Sequence, residues 1–134
     1  MLPNFTVTLR QNAARPYLPK NQGLVMDNFE QRWLNVETIF RERFGKLPDL
    51  DGMLFLIGIN ELEGNPTQPF TKEQKQDLMH IAVCTLLVPE GYYEFAGRDV
   101  DGWPHFHELQ LMTIADRREQ ERLLKECMVR YFAQ

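Results

Sequence analysis

Two histidines two residues apart, His105 and His107, lie in an eighteen-residue stretch, Gly91–Glu108, that also holds four carboxylates and five aromatic rings. On an extended strand, residues i and i+2 face the same way, so both imidazoles could bind one divalent transition metal. On a helix they would diverge by about 200°. A closed zinc site takes four ligands, and two are offered locally. The candidate metal set is therefore His105, His107 and Asp101, with Asp99 or Glu94 able to complete it if the turn folds back. The chemistry would be metal-assisted hydrolysis, with Glu94 or Glu108 as base. The plainer reading makes these imidazoles polar residues at the edge of a loop.

The run Asp99-Val100-Asp101-Gly102, with Glu108 beyond it, also invites comparison with a calcium loop. With Gly102 at the glycine position of such a loop, Asp99, Asp101 and Glu108 fall on ligand positions. Gly97 then takes the first ligand position and Pro104 the place of an apolar bridging residue, so the run reads as an acidic turn. A second constellation is Asp77, His80 and Cys84, which on a helix share a sector of about 60°. A carboxylate orienting an imidazole beside a thiol is the logic of an activated cysteine. Cys84 falls within an apolar run, however, where burial makes a thiol inert. Glu61 could face His80 across a helix pair and extend that set. A third is aromatic: Tyr92, Tyr93, Trp103 and Phe106 could form a protein-binding hot spot, with closure of the core as the competing role.

Four helices are expected to position these groups. Phe29, Trp33, Val36, Phe40 and Phe44 recur at spacings of four, three, four and four, which places them on one stripe. Asp27 and Glu30 form a capping-box pattern ahead of that stripe, and Gly45 and Pro48 stop it, giving a helix over Asn28–Phe44. Leu50–Leu62 has no polar face and should be central, with a buried strand over Met53–Ile59 as the competing assignment. Gly52 and Gly58 in that segment permit close backbone approach. Thr71 and Gln74 cap a helix over Lys72–Val88, and Pro89 and Gly91 end it. Thr113, with Asp116 three residues on, is expected to cap a last helix over Ile114–Phe132. Between them, Tyr92–Phe106 reads as a short hairpin or irregular segment. Phe5, Val7 and Leu9 alternate with Thr6 and Thr8, the period of an edge strand or arm, and Gln11–Gly23 reads as a loop.

The expected fold is thus mainly α, one domain over residues 1–134, with about four helices, a hairpin near 92–106 and an N-terminal strand. A chain of 134 residues with 43% apolar and 25% charged residues has an ordinary globular composition. A net charge of −4 and basic residues interleaved with acids exclude a phosphate track, so no nucleic-acid partner is expected. Glu121 with Lys125, and Glu126 with Arg130, are spaced as i,i+4 ion pairs on a solvated face. No apolar run is long enough to span a bilayer. Two cysteines, Cys84 and Cys127, do not make a disulfide framework, and a reducing cytoplasmic setting is expected.

No phosphate loop, dinucleotide fingerprint or serine elbow is present. The leading expectation is a non-enzymatic cytosolic interaction or accessory protein using the aromatic, acidic loop to bind a protein partner. The alternative is a metal-dependent hydrolytic enzyme using the 94–108 segment, with a divalent transition metal as its cofactor. A thiol enzyme built on Cys84 comes third. Substrate, partner and oligomeric state are left open.

Overall fold

The computed structural model describes residues 28–63 and 69–133. The expected strand over Phe5–Leu9, the loop after it, the Asp27 cap and the turn at Gly64–Pro66 lie outside the described residues. Within them the protein is mainly helical. Four helices, α1 (Asn28–Phe44), α2 (Leu50–Asn60), α3 (Lys72–Leu87) and α4 (Arg117–Ala133), accompany one antiparallel hairpin, β1 (Tyr93–Arg98) and β2 (Pro104–Glu108). Helix α2 packs on α3, α1 and α3 each pack on α4, and both strands lie against α3.

The apolar stripe of α1 does what its spacing predicts. Phe29, Trp33, Val36, Phe40 and Phe44 all join the main core, and Phe40 meets Phe132 of α4 edge-to-face with centroids 5.4 Å apart. The segment without a polar face is a helix, and two cores explain why. Met53, Leu54 and Ile57 of α2 enter the main core, while Phe55 and Ile59 on its other side, and Leu62 just beyond it, enter a smaller second core. Helix α3 is divided the same way, with Ala82, Leu86 and Leu87 in the first core and Leu78 and Ile81 in the second. A helix between two apolar clusters needs apolar residues all round.

Gly58 makes the α2–α3 crossing possible. A Cβ on Gly58 would lie 2.1 Å from the Leu78 carbonyl oxygen, so no side chain fits there. The capping box of α3 forms as its sequence predicts: Thr71 Oγ1 accepts from the Gln74 N–H at 3.0 Å, and Gln74 Oε1 accepts from the Thr71 N–H at 2.9 Å. Helix α2 starts at an aspartate cap, with Asp49 Oδ1 accepting from the Gly52 N–H at 2.8 Å.

The last helix departs from expectation. It begins at Arg117, not Ile114, and its cap is Asp116, whose Oδ1 accepts from the Arg118 N–H at 2.8 Å. A carboxylate competes well for this position, and Thr113 is left in the connection before the helix. The ion pairing of α4 differs too. Glu126 pairs with Arg122 at 3.0 Å, and Arg130 reaches Glu90 in the turn that follows α3.

Candidate functional site

The hairpin forms because Gly91–Glu108 carries two β-prone runs around the Asp99–Gly102 turn, which its own side chains organise. Asp99 Oδ1 accepts from the backbone N–H groups of Asp101 (2.9 Å) and Trp103 (3.1 Å), and its Oδ2 accepts from His105 Nε2 at 3.0 Å. The His105 hydrogen bond, and after it the Trp103 N–H, hold the Asp99 carboxyl below its ordinary range. Asp99 is thereby committed to shaping the turn.

The tip of the turn is latched onto the C-terminal end of α2. Arg98 Nη1 donates to the carbonyls of Glu61 (2.6 Å) and Gly102 (3.0 Å), and Arg98 Nε faces the Glu63 carboxylate at 3.3 Å. The Glu61 carbonyl is one of the acceptors that a helix end leaves unsatisfied, and a guanidinium fits it in charge and geometry. The Glu63 N–H also donates to the Gly102 carbonyl. Gly102 has φ +86°, and a Cβ there would sit 2.6 Å from the Glu63 carbonyl oxygen. Glycine is required on both counts.

Register decides which side chains face where. Tyr93 opposes Glu108, Glu94 opposes His107, Phe95 opposes Phe106, and Gly97 opposes His105, with a bulge at Ala96. Directly opposed residues share a face of the sheet. Tyr93, Phe95, Pro104 and Phe106 therefore lie on the side turned to α3, and Glu94, His105 and His107 on the outward side. All three outward residues are exposed. The histidines share a face, as the i,i+2 spacing predicts for a strand. His105 is bonded to Asp99, however, and His105, His107 and Asp101 do not come together as a ligand set. Among the described residues, no group of three or more His, Cys, Asp or Glu side chains is placed to hold a metal ion.

The four rings expected as contact residues are each half-buried. Tyr92 and Tyr93 pack against the main core, and Trp103 and Phe106 against the second. Their accessible parts form the margin of the hairpin, and their bulk ties it down. Among the described residues the large apolar side chains that are exposed are different ones: Val100 (99% exposed), Leu111, Leu109, Phe95 (52%) and, on α1, Leu34. Four of these five lie in the hairpin or the segment leaving it. The sequence signal for them was the odd placement of Val100 between two aspartates and of Leu109 and Leu111 between strand and helix.

Of the Asp77, His80 and Cys84 set, the structure brings the last two together, with His80 Nε2 3.4 Å from Cys84 Sγ. Asp77 and His80 are exposed, whereas Cys84 is buried. Burial, then the nearby Glu108 carboxylate, push the Cys84 thiol up to about 11, against an opposing hydrogen bond from Tyr93. At neutral pH only about one thiol in ten thousand is then ionised, so imidazole proximity does not make a nucleophile. Burial and the Cys84 neighbour raise the Tyr93 phenol as well. Cys127 is buried and likewise pushed up to about 11. Glu61 does not face His80. Its carboxylate accepts from the Tyr131 hydroxyl at 2.6 Å, and Asn60 Nδ2 donates to that hydroxyl at 2.8 Å.

Among the described residues no polar or charged side chain is fully buried, and no helix is long and apolar enough to cross a membrane. No protein-family model, no curated protein and no solved structure matches this chain.

Proposed function

We propose that this chain is a non-enzymatic interaction or accessory protein that binds a protein partner through the exposed side of its β1–β2 hairpin. The observation that carries this reading is the concentration of exposed apolar side chains there, Phe95, Val100, Leu109 and Leu111, on a scaffold latched to α2 and α3. Exposed apolar groups held on a rigid base and rimmed by charge suit a contact surface. The altered ionisations point the same way. Burial raises the Cys84 and Cys127 thiols, which leaves them poor nucleophiles at neutral pH. Two buried free thiols suit a reducing, cytoplasmic setting.

The half-buried rings Tyr92, Tyr93, Trp103 and Phe106 contribute their accessible edges to this surface. A photo-crosslinking residue at position 100 should capture a discrete partner, and one at position 51 on α2 should not. Val100→Ser combined with Leu111→Ser should weaken recovery of that partner at least tenfold without altering the fold. Equal capture from both positions, or recovery indifferent to both substitutions, would overturn the proposal.

A further inference from the structure

We infer that the outer edge of β1 receives an extended, cationic segment of a partner protein as a third strand. The inference rests on the reading of the hairpin as a contact surface and names the kind of partner it takes. Three observations carry it.

The first is an open backbone edge. Among the described residues the sheet has two strands, and the Leu109 N–H donates to the Tyr92 carbonyl at 2.8 Å. In an antiparallel ladder that bond sets the phase. Tyr93 and Phe95 therefore direct their N–H and C=O groups away from β2, and no backbone bond among the described residues meets them there. Phe95 and Ala96 of this strand are also exposed. Such an edge is a template for strand addition, with main-chain bonds supplying affinity and alternate side chains supplying specificity.

The second is Phe95 itself. It lies on the sheet face turned to α3 and meets Phe106 edge-to-face at 5.9 Å, yet is 52% exposed. A strand beside β1 would set an apolar side chain against that ring, continuing the inner face outward.

The third is charge. Gly91–Glu108 carries four carboxylates against one arginine, three of the chain's four net negative charges in eighteen of its 134 residues. That arginine, Arg98, is spent on Glu61, Glu63 and Gly102 within the protein. Glu94 and Asp101 are left facing solvent. A second copy of this chain would bring the same negative charge to the edge, whereas a segment alternating lysine or arginine with apolar residues would place cations on the Glu94 side and apolar groups on the Phe95 side.

The test uses the full chain and a fluorescein-labelled eight-residue peptide of alternating lysine and valine. Binding followed by fluorescence anisotropy should weaken at least tenfold when glutamate replaces lysine, and should fall with added salt. Methylating the backbone nitrogens of one alternate set of peptide residues should abolish binding, and methylating the other set should leave it within about threefold. Glu94→Lys and Phe95→Ala should each cost about tenfold, with circular dichroism confirming that both variants are folded. Equal binding of the lysine and glutamate peptides, or equal effects of the two methylation patterns, would overturn the inference. So would a tenfold gain in affinity on omitting residues 1–10, which would assign the edge to the chain's own Phe5–Leu9. A dimer dispersed by Phe95→Ala, with no peptide binding, would assign it to a second copy and also overturn the inference. Loss of peptide binding with Val100-dependent partner capture intact would remove the strand and leave the interaction reading standing.

Discussion

The two sides of the hairpin use similar residue types for opposite ends. Toward α3, Tyr93, Trp103 and Phe106 pack against the two cores, and their area holds the hairpin in place. Away from these contacts Val100 and Leu109 face water, and Phe95, on the same face as Phe106, is left half uncovered. An aromatic-rich stretch is thus not uniformly a binding surface. The larger rings secure the scaffold, and smaller aliphatic groups at the turn and exit form the accessible apolar surface. What separates the two roles is position along the hairpin, the covered rings lying in or beside the strands and Val100, Leu109 and Leu111 at the turn and exit.

The strongest way to break this contrast is to remove the frame beneath it. Gly58→Ala should cost about 3 kcal/mol in urea unfolding, because the new methyl group meets the Leu78 carbonyl and must part α2 from α3. A cost near zero would show that the crossing yields freely. Next, Trp103→Ala should cost about 2 kcal/mol, since a half-buried ring leaves the second core, whereas Val100→Ser should stay within about 0.5 kcal/mol. Comparable losses from the two would erase the distinction between inner and outer sides.

Smaller effects sharpen it. Asp99 is more acidic folded than unfolded, so its contribution to the turn is present above the ordinary aspartate value of 3.8 and is lost as pH falls through its lower folded value. A carboxyl-carbon NMR titration should give an Asp99 midpoint below 3.8, and His105→Ala should move it upward. A midpoint at or above 3.8 in the intact protein would contradict the role given to Asp99. Untagged protein should also carry less than about a tenth of an equivalent of zinc, iron, manganese or nickel, as expected where His105 is engaged by Asp99. A stoichiometric metal abolished by His107→Ala would reinstate the hydrolytic alternative.

Much of the frame was legible because it depends on local patterns. The α1 stripe and the Thr71 box follow from spacing within one turn or two, whereas the apolar run over Met53–Ile59 suited a helix or a strand until the two cores on either side of it were seen. The start of α4 was misread because Thr113 and Asp116 both suit a cap, and the choice rests on how far the chain must run from β2. The site was harder to read. That His105 and His107 would share a face followed from strand period, but that Asp99 would take His105 depends on a turn closing across six residues. The exposure of Phe95 beside the cover given to Phe106 depends on which strand sits nearer the second core. Likewise, nothing near Glu61 in sequence announces Tyr131, seventy residues away.

Val100 stands clear of the protein while the backbone on either side of it is held by Asp99, Gly102 and Arg98. The chain's two native thiols are both buried and reluctant to ionise. A Val100→Cys substitution would therefore accept a maleimide dye far faster than either native thiol, with no need to delete them. The hairpin tip is in this sense a ready-made attachment point for an optical reporter, one that moves with the scaffold and disturbs none of its packing.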